Sequence, residues 1–129
     1  ASFGESSVVG ANFNGAALSD AHFAQCCVSN SNFSNSNLSN AYLSESDFSQ
    51  ADFSNANLSD TNLVRAFLRG ANLSGTNLSS ANLTGADLSG AILSRANLSQ
   101  AIVDRINLTD VTFDNTVMPD GSIRNDNTY

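Results

Sequence analysis

Large apolar residues return at every fifth position, from Phe3 through Val8, Phe13, Leu18 and Phe23 to Ile123. All 25 positions of this register are apolar: 13 Leu, 7 Phe, 3 Val, Met118 and Ile123. Every Leu falls on the register, and one Phe, Phe67, falls off it. Two residues before each centre stands a small side chain, Ala at 14 of the 25 positions and Ser, Thr, Cys or Gly at nine more. Ile106 and Val111 are the two larger exceptions. The residue between is usually Asn or Asp, and the two that follow the centre are mostly Ser, Gly, Asn, Asp or Gln. The unit reads Ala-(Asn/Asp)-Leu-Ser-X and keeps its length to about residue 125.

A period of five fits neither regular element. On a helix, at about 100° per residue, successive centres would fall about 140° apart and leave no apolar face. A plain strand alternates with period two, and five is odd. The pattern fits a short extended piece followed by a bend, with the small residue and the large residue both pointing inward. Gly, Asn, Asp and Ser after each centre bend the chain cheaply or tolerate positive φ. Such a chain satisfies its backbone by coiling and bonding each turn to the next, which predicts a parallel β-solenoid stabilised by stacking of neighbours.

The Ala-(Asn/Asp)-Leu-X-X repeat resembles the pentapeptide-repeat family over nearly the whole chain. The Met118-Pro119-Asp120-Gly121 ending is similar to that of short cyanobacterial members. The resemblance implies an all-β fold, a right-handed quadrilateral parallel β-helix with four pentads per coil. At twenty residues per coil the chain makes about six coils, a rod roughly 30 Å long at the usual spacing between strands. A single domain spans 1–129, with degenerate pentads in 1–10, regular coils in 11–118 and a C-terminal cap or tail in 119–129. Pro119 removes a ladder donor, which places the end of the regular coil there.

Residues twenty apart should then stack. Phe13, Phe33, Phe53, Leu73, Leu93 and Phe113 form one inner column, and Leu18, Leu38, Leu58, Leu78, Leu98 and Met118 another. On the outside, Glu45 meets Arg65 as a surface ion pair, His22 lies over Tyr42, and Phe67 falls between Asp47 and Asp87. Phe67, Ile92 and Ile102 occupy outward positions where Asn or Asp is the rule. One reading is tolerated surface variation; the sharper one is a contact patch for a partner or a second copy.

Charge and chemistry narrow the function. Asp and Glu number 12 against 5 Arg and no Lys, a formal net charge of −7. Direct nucleic-acid binding is disfavoured, since that affinity comes from cationic side chains releasing counterions. No apolar run reaches the roughly 18 residues of a membrane span. Cys26 and Cys27 are adjacent and make no disulfide scaffold. Cys26 takes the small inward position as a buried thiol, Cys27 faces out, and a bond between the two would strain their peptide. The single histidine, His22, has too few neighbouring ligands for a metal site, the serines lack a general base, and no phosphate-binding loop occurs. No catalytic, cofactor or metal residues are assigned.

The expectation is a non-enzymatic structural or interaction scaffold with a protein partner of unknown identity, as a monomer or a weak end-to-end dimer. The alternative comes from the resemblance: some family members resemble duplex DNA in shape and charge and inhibit gyrase. This chain would then be a DNA-mimicking inhibitor or protector of a type II topoisomerase. Asp20, Asp60 and Asp120 share one outer column, but Asn40 and Ser80 interrupt it. The chain opens at Ala1 without Met, which favours a periplasmic or thylakoid-lumen form, with a targeting segment removed, over a cytoplasmic one.

Overall fold

The computed structural model describes residues 2–4 and 7–126. Its organising feature is a set of parallel bridges between residues twenty apart, running from Ser2↔His22 to Asn97↔Val117. They fall on four ladders, one for each pentad of the turn. Face 1 carries Ser2, His22, Tyr42, Asn62, Asn82 and Ile102; face 2 carries Ser7, Cys27, Asp47, Phe67, Asp87 and Asn107. Face 3 carries Asn12, Asn32, Asp52, Asn72, Ile92 and Thr112, and face 4 Ala17, Asn37, Asn57, Asn77, Asn97 and Val117. The residue before each apolar centre is therefore the bridging residue. The first pentads join the same ladders, with Phe3 and Val8 bonded to His22 and Cys27.

Most corners are β-turns closed by the amide two residues before the next apolar centre, as in Ala41 N–H to Leu38 O at 3.0 Å. The last residue of every pentad from Gly10 to Asn115 has positive φ, the mark of a type II turn. Glycine fills only some of these corners. Arg65, Arg95, Gln50 and Glu45 take φ near +60° as well, a conformation that costs an isolated L-residue about 1–2 kcal/mol. The ladder bonds on both sides hold them there.

Asn and Asp precede the centres for a second reason. In thirteen pentads their Oδ1 accepts the backbone N–H two residues on, at 2.9–3.1 Å, as in Asn77 to Ser79 and Asp47 to Ser49. This Asx bond satisfies an amide at the start of the corner that the ladder does not use.

The interior is the predicted double row. Leu38, Leu58, Leu78, Phe33 and Phe53 are fully buried, with Ala in most of the small positions, while Phe3, Val8, Phe13, Val103, Leu108 and Met118 toward the two ends are partly buried. Phe rings twenty residues apart stack: Phe3 on Phe23 at 4.6 Å and Phe33 on Phe53 at 5.1 Å between centroids. Rings on neighbouring faces meet edge to face, as Phe13 and Phe23 do at 5.8 Å. Hydroxyls in the small positions are satisfied by the coil below: Thr76 and Thr116 donate to Phe53 O and Leu93 O at 2.7 and 2.6 Å.

The C-terminal end departs from the pattern. A short hairpin pairs β1 (Thr116–Val117) with β2 (Ile123–Arg124) antiparallel. It folds back on the last coil, so that Phe113 donates its N–H to Asp126 O at 2.8 Å where Leu93 uses Thr112 O one coil earlier. The Arg124 guanidinium lies 3.9 Å from the Phe113 ring centroid. Past Pro119, where the sequence places the end of the regular coil, β2 runs against the coil direction and Ile123 is 57% exposed. Pro119 O still accepts the Gln100 N–H at 2.9 Å and the Gly121 N–H closes on Met118 O at 2.8 Å; Asp120 lies in this turn and accepts from Ser122, while Gly121 takes the positive φ.

Candidate functional site

Face 4 is uniform between Ala17 and Val117, an Asn ladder of Asn37, Asn57, Asn77 and Asn97 flanked by Ser39, Ser59, Ser79 and Ser99. Its Asn carbonyls are committed to Asx bonds. Face 2 and the corner it shares with face 1 are different, because their columns change chemistry from coil to coil.

Around Phe67 a shallow depression of about 440 Å³ is lined by Gln25, Cys27, Glu45, Asp47, Phe67 and Arg69, among others. Phe67 projects from a bridging position between Asp47 and Asp87 and remains 47% exposed. Cys26 is buried and Cys27 half-buried. At the corner, Gln25, Glu45 and Arg65 stand one coil apart. Gln25 Nε2 donates to Glu45 Oε1 at 3.0 Å, and Arg65 donates through Nε and Nη2 to Glu45 Oε2 at 3.0 and 2.8 Å. The hydrogen bond from Gln25, then the bond and charge of Arg65, hold the Glu45 carboxyl below its ordinary pKa. On the other side, Arg69 Nε lies 3.9 Å from Asp87 Oδ2. Arg69 also borders a second depression, of about 480 Å³, where Gly70 and Gly90 leave the corner column bare between Gln50 and Asp110.

The predicted Glu45–Arg65 pair and the His22–Tyr42 stack, at 4.5 Å between centroids, are both present. The three flagged apolar residues are all exposed, at 47% for Phe67, 38% for Ile92 and 47% for Ile102. They stand on different ladders: Phe67 on face 2, Ile92 between Asn72 and Thr112 on face 3, and Ile102 above Asn82 on face 1. The structure therefore brings none of the three together. What it does bring together around Phe67 is Cys27, Glu45, Asp47 and Arg69, a grouping that sequence reasoning left unassembled although the twenty-residue register contained it. Among the described residues no group of His, Cys, Asp and Glu is arranged to hold a metal ion. No helix among them is long and apolar enough to cross a membrane.

Comparison with known proteins agrees with this architecture. The family described as pentapeptide repeats matches in eight copies, over residues 1–35, 36–75, 51–90 and 91–124. The crystal structure of the pentapeptide repeat protein Rfr23 from the cyanobacterium Cyanothece 51142 is similar at 32% identity. It superposes with a TM-score of 0.85 over 87% of this chain and 90% of that one. Another pentapeptide repeat protein, alr5209 from Nostoc PCC 7120, is 38% identical over 78% of this chain and 67% of that one, with a TM-score of 0.40. QnrB1, a plasmid-mediated fluoroquinolone resistance protein, is 23% identical with a TM-score of 0.54, over 88% of this chain and 61% of that one. That likeness is one of fold alone. No curated protein matches the sequence. With the period of five, the parallel ladders at twenty residues and the match from residue 1 to 124 in agreement, the chain belongs to the pentapeptide-repeat family, whose members fold as right-handed β-helices.

Proposed function

We propose that the chain is a non-enzymatic interaction scaffold: a quadrilateral rod of about six coils that a protein partner grips through its outward apolar residues. The observation that carries this reading is Phe67, an exposed ring in a bridging position bordering a depression on a face whose chemistry changes from coil to coil. Ile92 and Ile102, on faces 3 and 1, extend the contact to a partner that reaches around the rod or to a second partner. The rest of the surface is suited to solubility and spacing, because in thirteen pentads the Asn or Asp before the apolar centre uses an oxygen in a turn bond. The protein acts as a monomer or joins a second copy weakly end to end.

Mimicry of duplex DNA fits less well. A phosphate-like array needs regular carboxylates along one side, whereas Asn40 and Ser80 interrupt the column of Asp20, Asp60 and Asp120.

The test is affinity capture from the source-cell extract with the full chain and with Phe67→Asp, Ile92→Asn and Ile102→Asn. The expected result is a captured protein that is lost with Phe67→Asp while the thermal midpoint does not fall. Equal capture by the chain and all three variants would overturn the reading.

A further inference from the structure

Resting on the scaffold reading, we propose that the depression beside Phe67 receives an arginine side chain of the partner protein. The ladder places Phe67 between two carboxylates, Asp47 and Asp87, each about 4.8 Å away along the rod. An aromatic face with carboxylates on either side attracts a cation through the ring quadrupole and through charge-assisted hydrogen bonds. Among the described residues no guanidinium lies over the Phe67 ring; the one such contact is Arg124 on Phe113.

The neighbouring charges say where the cation sits. Glu45 is saturated by Gln25 and Arg65. Asp87 faces Arg69 and also holds the Ser89 amide at 3.0 Å. Asp47 uses Oδ1 for the Ser49 amide at 2.9 Å and forms no ion pair among the described residues. Its other oxygen is the uncompensated acceptor in the depression. Arg69 repels a cation from the Asp87 side and directs it toward Asp47. The Phe67 ring offers an apolar surface to a methylene stem, over which a long charged side chain lies readily, and Cys27 lines the depression on the far side of Asp47.

Arginine fits better than lysine. Its planar guanidinium stacks on a ring while forking to a carboxylate, and it is less strongly hydrated than an ammonium in a site this open.

The test is a titration of the full-length ¹⁵N-labelled chain with the peptide acetyl-Leu-Arg-Leu-amide, followed by backbone amide shifts, beside the matching Lys, Gln and Glu peptides. The arginine peptide is expected to shift the amides of Cys27, Asp47, Ser49 and Phe67, with binding that weakens as salt is added. Phe67→Leu and Asp47→Asn should each weaken it about two- to fivefold. Asp52→Asn on face 3 should leave it unchanged. Asn keeps the corner bond to Ser49 that Asp47 makes, so Asp47→Asn tests charge without disturbing the fold. Equal response to the Gln peptide, no response to the arginine peptide, shifts spread over all four faces, or indifference to Asp47→Asn would each overturn the proposal. If the peptide fails while Phe67→Asp still abolishes capture of the partner, the arginine site falls and the scaffold reading stands.

Discussion

Leu78→Ala measures how tightly the coil encloses its core. Leu78 is fully buried, with Leu58 and Leu98 one coil away on either side. Its backbone is fixed from both directions: Leu78 N–H bonds Asn97 O at 2.7 Å, and Asn77 N–H bonds Ala56 O at 3.0 Å. Large-to-small changes cost about 2–5 kcal/mol, more where the surroundings cannot close over the cavity. Here the ladders prevent that closure, so the expected loss is about 4 kcal/mol. Leu18, in the first coil, is 8% exposed and has a covering coil on one side only. Its truncation should cost about 2 kcal/mol, because an end repeat frays independently of the rest. Urea unfolding followed by circular dichroism gives both values, and amide exchange shows whether the Leu18 variant loses only its first coil. Equal costs at the two positions, or less than about 1 kcal/mol at Leu78, would refute the enclosure argument. Leu78→Asp, which buries an unpaired charge, should prevent folding.

Three further outcomes follow from the corners. Asn77→Ala removes the acceptor of the Ser79 amide, a 3.0 Å bond, and should cost about 1 kcal/mol in urea unfolding. Asn77→Asp, which copies Asp47, Asp52 and Asp87, should be near neutral, and an equal loss for both variants would deny the turn bond its role. Gly90→Ala places a methyl in open space, with its nearest contact at 3.9 Å, but at φ +70°. A loss of about 1 kcal/mol is expected from backbone conformation alone, and unchanged stability would contradict it. The Glu45 carboxyl, followed by NMR titration, should rise toward its ordinary pKa in Gln25→Ala and again in Arg65→Met, since both partners lower it. Because the folded-state value is depressed, the associated stability is present above the unfolded pKa and fades as pH falls through the folded one. An unmoved titration in both variants would contradict the assigned cause.

The regular part of the fold was legible because one geometric fact, the period of five, determines which residues face in. Phe3 to Met118 followed that register, and the four pentads per coil implied by the resemblance then placed Glu45 on Arg65 and His22 on Tyr42. Two things stayed hidden. Asn and Asp before each centre read simply as outward polar residues, since a sequence does not show that Oδ1 reaches a backbone amide two residues on. Corner residues such as Arg65 and Arg95 carry no turn signal of their own, because ladders from other coils impose their positive φ. At the C-terminus Pro119 marked where the regular coil should stop, but the sequence did not show the hairpin: the turn from Met118 to Ser122 reverses the chain, and only tertiary pairing with Thr116–Val117 decides which way Ile123 points. Phe67 was visible as an exception to a rule. The residues gathered around it were not, because they come from three coils and two faces.

That exception has a physical cost, which is the strongest reason to assign it a role. At a bridging position Asn or Asp closes the corner by accepting the amide two residues on; Phe67 has no acceptor to offer Arg69. The forfeited bond is worth about 1 kcal/mol, and a half-exposed ring leaves further apolar surface in water. Nothing in the coil requires it, since Asp47 and Asp87, directly before and after it in the ladder, make the bond with the same backbone. Ile92 and Ile102 forfeit the same bond on faces 3 and 1. In a fold whose stability is a sum over nearly equivalent repeats, such losses are absorbed without unfolding the rod. The coil can therefore carry side chains that weaken it locally. Those side chains gain their free energy back only by contact with something outside the coil, and Phe67 alone among the three borders a depression with an uncompensated carboxylate beside it.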